Sequence, residues 1–160
     1  MSDRAVRKSD PRVPGRARGE ASGEGPPDIR LNVTSDPVHL ATVRHACEAF
    51  CVECGLSDAA AGDVGLVVNE AMANVTRHAY SGATDRPVEV TGHWDGAARA
   101  VVVTIRDWGP GFNPESVRPK QDPTKPGGLG MVCIRCLVDE AVFAPQPDGM
   151  LLTLKKKRIG

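Results

Sequence analysis

Glu70, Asn74 and His78 recur every four residues in a stretch whose other positions are mostly apolar. On a helix each step of four turns about 40° around the axis, so the three side chains form one polar stripe beside an apolar face. An amide oxygen is a hard ligand suited to Mg²⁺, and a carboxylate one turn away can polarise a water or orient an incoming hydroxyl. Taken alone, such a stripe is an ordinary solvated helix face. A second group follows downstream, where an apolar run ends in Arg106 and then Asp107-Trp108-Gly109-Pro110-Gly111-Phe112. An aspartate at a strand end followed by two spaced glycines lets a carboxylate face a pocket while the backbone bends closely around a ligand. A plain tight turn would use the same residues. The third group is Gly127-Gly128-Leu129-Gly130, opening a helical pattern through Val132 and Ile134. Free amides and the positive dipole end of a helix start suit phosphate, although a glycine-rich start is common without any ligand.

The elements that must position these groups are legible in the periodicity. Ile29, Leu31 and Val33 alternate with polar residues as in a half-buried strand. Asp36-Pro37 marks a helix start, followed by Val38, Ala41, Cys47, Phe50, Cys51 and Cys54 at helical spacing and a stop at Gly55. Ser57 caps a second helix with apolar positions Val64, Val67, Val68, Ala71, Met72, Val75 and Ala79. Two strands are expected over 88–94 and 100–105 around Asp95-Gly96, and a long loop over 113–128. A third helix is expected over 129–138, then short strands near 141–144 and 150–154 around Pro147-Asp148-Gly149. Helices first and mixed strands after suit an α+β two-layer sandwich, with helices covering one face of a mixed, mostly antiparallel sheet.

At 160 residues the chain suits one domain. Residues 1–28 combine prolines, glycines and mixed charges with almost no bulky apolar side chain, so a disordered tail is expected there and an ordered domain over 29–160. Lysine plus arginine equals aspartate plus glutamate, 20 of each, which argues against a polyanionic partner such as nucleic acid. With no long apolar stretch and no signal-peptide core, no membrane association is expected and the cytoplasm is the expected location. There the five cysteines would be reduced thiols. The pairs Cys51/Cys54 and Cys133/Cys136 have the spacing of a structural zinc set, but both fall inside helical patterns, where thiols that fill helix faces are the simpler reading. The basic run Lys155 to Arg158 reads as a solvated terminus.

Together and in this order, Asn69 to Asn74 with His78-Ala79-Tyr80, Asp107 to Phe112, and Gly127 to Met131 resemble the nucleotide motifs of the GHKL ATPase superfamily. The resemblance covers roughly residues 31–157 and implies the Bergerat ATP-binding fold. Within the superfamily, the wording from Asn74 to Tyr80 and the close glycine segment look most like the anti-sigma factor serine kinases. Histidine kinases resemble the chain less, because they add a dimerisation helix pair for which no sequence before Ile29 is suited.

The resemblance implies ATP and Mg²⁺ as cofactors, with Asn74 holding the metal between phosphate oxygens. It implies Glu70 as the catalytic base that orients a substrate serine hydroxyl, and Asp107 as acceptor from the adenine amino group. Gly109 and Gly111 would let the chain pass close to the nucleotide, and Gly128, Leu129 and Gly130 would touch phosphates. Arg118, Lys120 and Lys125 fall in the corresponding lid, where a cation would stabilise the transferring phosphoryl group. Implied partners are an anti-sigma factor antagonist as substrate, a sigma factor, and a second copy in a homodimer. One departure is Met150, which stands where many relatives carry an adenine-binding threonine and lowers the expected nucleotide affinity. The alternative function is an ATP-dependent protein-binding switch without phosphotransfer. Glu70 favours the kinase, because a pure nucleotide sensor needs no base.

Overall fold

The structure is a computed structural model that describes residues 26–110 and 130–160. Five strands, β1 (Ile29–Thr34), β2 (Pro87–Asp95), β3 (Ala100–Asp107), β4 (Glu140–Gln146) and β5 (Gly149–Lys157), form one sheet in the order β1-β2-β3-β5-β4. Every pairing is antiparallel. Register lines up the apolar alternation of all five: Leu31, Val90, Ile105, Leu152 and Phe143 make one continuous inner row. A one-residue slip in any strand would send that strand's share to solvent, so the pattern itself specifies the pairing.

Among the described residues three helices cover the inner face: α1 (Leu40–Glu53), α2 (Asp58–Asn74) and α3 (Gly130–Leu137). The α2 start is fixed by Ser57, whose hydroxyl accepts from the Ala60 amide at 3.2 Å. All seven apolar positions expected on this helix and its extension are buried, from Val64 to Ala79. The architecture is therefore the α+β two-layer sandwich.

The structure departs from the sequence reading in three places. Asp36 does accept from the Val38 amide at 2.9 Å, but the turn that it caps, Pro37–His39, is 3-10 rather than α. The tighter turn changes the phase of the side chains, and Val38 points to solvent instead of joining the apolar face. The third helix ends one residue earlier than expected, at Leu137. The terminal basic run is strand rather than a solvated tail, because β5 pairs along the whole of β3 as far as Ala100↔Lys157. Alternation then turns Lys156 inward, where its Nζ donates to Asp63 Oδ2 at 3.0 Å and to the Leu137 carbonyl at 2.7 Å. A cation on the last carbonyl of α3 also suits the negative end of the helix dipole. Arg158 lies over the Trp94 ring at 5.0 Å.

Cys47 and Cys51 fill the core-facing side of α1 and Cys54 is buried just after its end, whereas Cys136 is exposed on α3. Among the described residues no group of three or more His, Cys, Asp or Glu side chains is placed to hold a metal ion. No described helix is long and apolar enough to cross a membrane. Burial pushes the Cys47 and Cys51 thiols up to about 12 and Cys54 up to about 11. The thiolate is the reactive form, so these three should be inert in the folded protein. Iodoacetamide at pH 8 is expected to alkylate Cys136 and to spare Cys47, Cys51 and Cys54 until denaturant is added, as read by peptide mass spectrometry.

Candidate functional site

Asp107 is the last residue of β3, and the alternation that buries Val101, Val103 and Ile105 turns its side chain inward as well. Its row across the sheet runs Val33, Val88, Asp107, Met150 and Pro145, so the carboxylate takes a place that its neighbours fill with apolar groups. It is 2% exposed. Asp107 Oδ1 accepts from the Gly109 amide at 3.0 Å, and the Met150 amide donates to the same carboxylate. Burial nevertheless raises its pKa above the ordinary carboxylate range, with the two amides and the Arg106 guanidinium opposing that shift.

Facing Asp107 from the helical layer is Asn74, the last residue of α2, also buried. The two polar groups share a narrow slot otherwise walled by Ala71 and Val75 of the helical layer, Ile105, Met150 and Leu152 of the sheet, Ile134 of α3 and Phe143 of β4. The slot encloses about 20 Å³. It is therefore narrow and apolar-walled, with room for about one water, and carries a carboxylate and an amide. The carboxylate can accept from an exocyclic amine, and the amide oxygen can ligate Mg²⁺.

Immediately after Asn74 the helix loosens into a π turn, Val75–Ala79, closed by the Tyr80 amide on the Val75 carbonyl at 3.0 Å. Turns of this kind concentrate at functional sites. Two consequences follow for the expected polar stripe. Glu70 is half-buried one turn before Asn74 on α2, but it lies outside the residues that wall the slot. His78 falls on the π turn, where the four-residue step no longer holds, and is exposed. The stripe thus holds from Glu70 to Asn74 and ends there.

The turn after Asp107 packs on this π turn. A Cβ at Gly109 would sit 2.5 Å from the Ala79 carbonyl oxygen, so the glycine is required by backbone packing, and Gly109 does not itself wall the slot. Tyr80 stitches the same corner: its hydroxyl donates to the Pro87 carbonyl at 2.6 Å and accepts from the Trp108 amide at 2.8 Å. Gly130 opens α3. Gly111, Gly128 and Leu129, with Arg118, Lys120 and Lys125, lie outside the described residues. Sequence reasoning missed the Tyr80 bridge and the walls supplied by Ile134, Phe143 and Leu152. The apolar alternation of β4 and β5 could have supplied Phe143 and Leu152, but nothing local marks the tyrosine.

Replacing Tyr80 by Phe removes two hydrogen bonds at a solvent-accessible corner, where water can take over the freed carbonyl and amide; urea unfolding should show a loss of roughly 0.5–1.5 kcal/mol. The raised Asp107 pKa fixes a sign. The folded state holds this proton more tightly than the unfolded chain, so the stability it contributes is full below the ordinary aspartate value. That stability is lost as pH rises through the raised folded value. Relative to Asp107→Asn, the wild type should therefore lose stability from about pH 4 upwards. Paired thermal melts across that range measure it.

A family model described as the histidine kinase-like ATPase domain matches residues 33–156. No curated protein sequence matches the chain. Among solved structures, the RsbU and RsbW domains of Rv1364c from Mycobacterium tuberculosis superpose with a TM-score of 0.61 at 20% identity, covering 82% of this chain and 32% of that one. The Erythrobacter litoralis EL346 blue-light activated histidine kinase superposes with a TM-score of 0.52 at 20% identity, covering 75% of this chain and 41% of that one. This chain thus spans about a third of the length of the first and under half of the second, and at these identities the likeness is one of fold. The motif order, the antiparallel sheet under three helices and the family match over residues 33–156 agree: the chain belongs to the histidine kinase-like ATPase domain family, with the GHKL-type α+β fold.

Proposed function

We propose that this protein is an ATP-dependent serine kinase of the anti-sigma factor type, which phosphorylates a small antagonist protein and sequesters a sigma factor in its other state. The observation that carries the nucleotide part is the buried Asp107 carboxylate, held by two backbone amides on the floor of an apolar slot that also contains Asn74. A buried carboxylate with raised pKa costs stability, and such sites are commonly those that a ligand uses. Family membership supports ATP as that ligand. The motif wording from Asn74 to Tyr80 supports the anti-sigma kinase reading, as does the fold likeness to a structure that contains an RsbW domain.

In this reading Asp107 accepts a hydrogen bond from the adenine amino group, and the apolar walls from Val75 to Leu152 exclude water from the base. Asn74 Oδ1 would hold Mg²⁺, which would neutralise charge on the transferring phosphoryl group. Glu70, one turn back on α2, lies beyond the slot walls on the Asn74 side of the same helix. There it orients the substrate serine and takes its proton as serine Oγ bonds to the γ-phosphorus and ADP leaves with the electrons of the broken bond. Gly109 shapes the turn after Asp107, Gly130 at the start of α3 would meet the phosphates, and the working assembly would be a homodimer.

Calorimetry with Mg-ATP is expected to show saturable binding that Asp107→Ala or Asn74→Ala abolishes. Absence of any heat for the wild type overturns the nucleotide reading. With labelled ATP and a cognate antagonist, Glu70→Ala should keep nucleotide binding while slowing phosphate transfer by about 10²-fold or more. Wild-type binding without transfer would instead identify a nucleotide-gated binding switch.

A further inference from the structure

Resting on the nucleotide reading above, we infer that Arg106, paired with Asp148, is a positioning residue for the base-recognising carboxylate, acting through the β4–β5 turn rather than by touching the ligand. Arg106 precedes Asp107 on β3, so alternation puts its side chain on the opposite face of the sheet from the slot. Instead of extending into solvent it wraps around the strand end and is only 15% exposed. Nη1 donates to the Asp107 carbonyl and, at 3.4 Å, to the Asp148 carbonyl, while Nη2 donates to Asp148 Oδ1 at 2.5 Å. The Trp108 ring covers the guanidinium, with Arg106 Cζ 4.8 Å from its centroid.

One planar fork therefore fixes residues 107 and 148 against each other, a task that suits arginine and not lysine. Between them the packing leaves no slack. Gly149 has φ +134°, and a Cβ there would lie 2.0 Å from the Asp107 carbonyl oxygen and 2.7 Å from Arg106 Nη1. The next residue is Met150, whose amide donates to the Asp107 carboxylate and whose side chain walls the slot. The chain of contact thus runs from guanidinium to turn, from turn to Met150, and from the Met150 amide to the carboxylate that meets the base. Asp148 is 65% exposed, so the ion pair itself adds little to global stability. What the fork supplies is geometry at the slot.

The test compares the full chain with Arg106→Gln, Asp148→Asn, their double variant and Arg106→Lys, titrated with Mg-ATP, Mg-ADP and inorganic tripolyphosphate, with melting temperatures taken alongside. Each single change should weaken Mg-ATP and Mg-ADP by the same factor, roughly tenfold, and leave tripolyphosphate unchanged, because the loss is carried by the base. The double variant should bind no worse than either single one, and Arg106→Lys should fall between wild type and Arg106→Gln. Folded variants that bind Mg-ATP as the wild type does would overturn the inference. Additive losses, or an equal loss for tripolyphosphate, would do the same. If the unaltered protein fails to bind Mg-ATP, the nucleotide reading falls and takes this one with it; if it binds and the variants are unaffected, this one falls alone.

Discussion

The inner row Val33, Val88, Asp107, Met150, Pro145 sets one carboxylate among apolar neighbours, and most of the local architecture can be understood as the means of keeping it there. Removing a carboxylate from water costs several kcal/mol unless hydrogen bonds replace its hydration. Two replacements come from backbone amides, those of Gly109 and Met150, and both require the chain to bend tightly on either side of the strand end. The Gly109 bend is possible because the π turn brings Ala79 up against a residue without a side chain. The Met150 amide arrives because β5 pairs in register with β3. Helix end, sheet register and turn thus converge on one anion.

Much of this was legible from residue order. The apolar spacing on α2, the Ser57 cap and the strand alternation are local properties, and local properties survive folding when tertiary packing agrees with them. The position of Asp107 at a strand end facing inward also follows from counting by two along β3. What the sequence hides is anything decided by register between distant segments. Arg106 and Asp148 lie 42 residues apart, and only the β3–β5 pairing makes them neighbours. Lys156 looks like part of a charged tail until the same pairing turns it towards Asp63 and Leu137. The π turn has no compositional mark either: Val75 to Ala79 continues the apolar spacing of α2, and one lengthened hydrogen-bond step separates His78 from the face shared by Glu70 and Asn74.

The two layers divide the site between them. The helical layer contributes Asn74 with Ala71, Val75 and Ile134, while the sheet contributes Asp107 and the floor. A ligand in the slot would touch both layers, so its binding energy is available to couple them. The matched part makes up 32% of one solved structure and 41% of the other, so the same fold occurs there within longer chains.

Lys156 fastens the sheet to two helices at once. Its ammonium donates to the carbonyl of Leu137, at the end of α3, and to Asp63 of α2. Within the same α3, Ile134 is fully buried and walls the slot. The far end of β5 is thereby joined to the slot through one helix: a neutral side chain at position 156 would release the last carbonyl of α3 and the Asp63 carboxylate together, and a shift of that helix would reach the slot through Ile134.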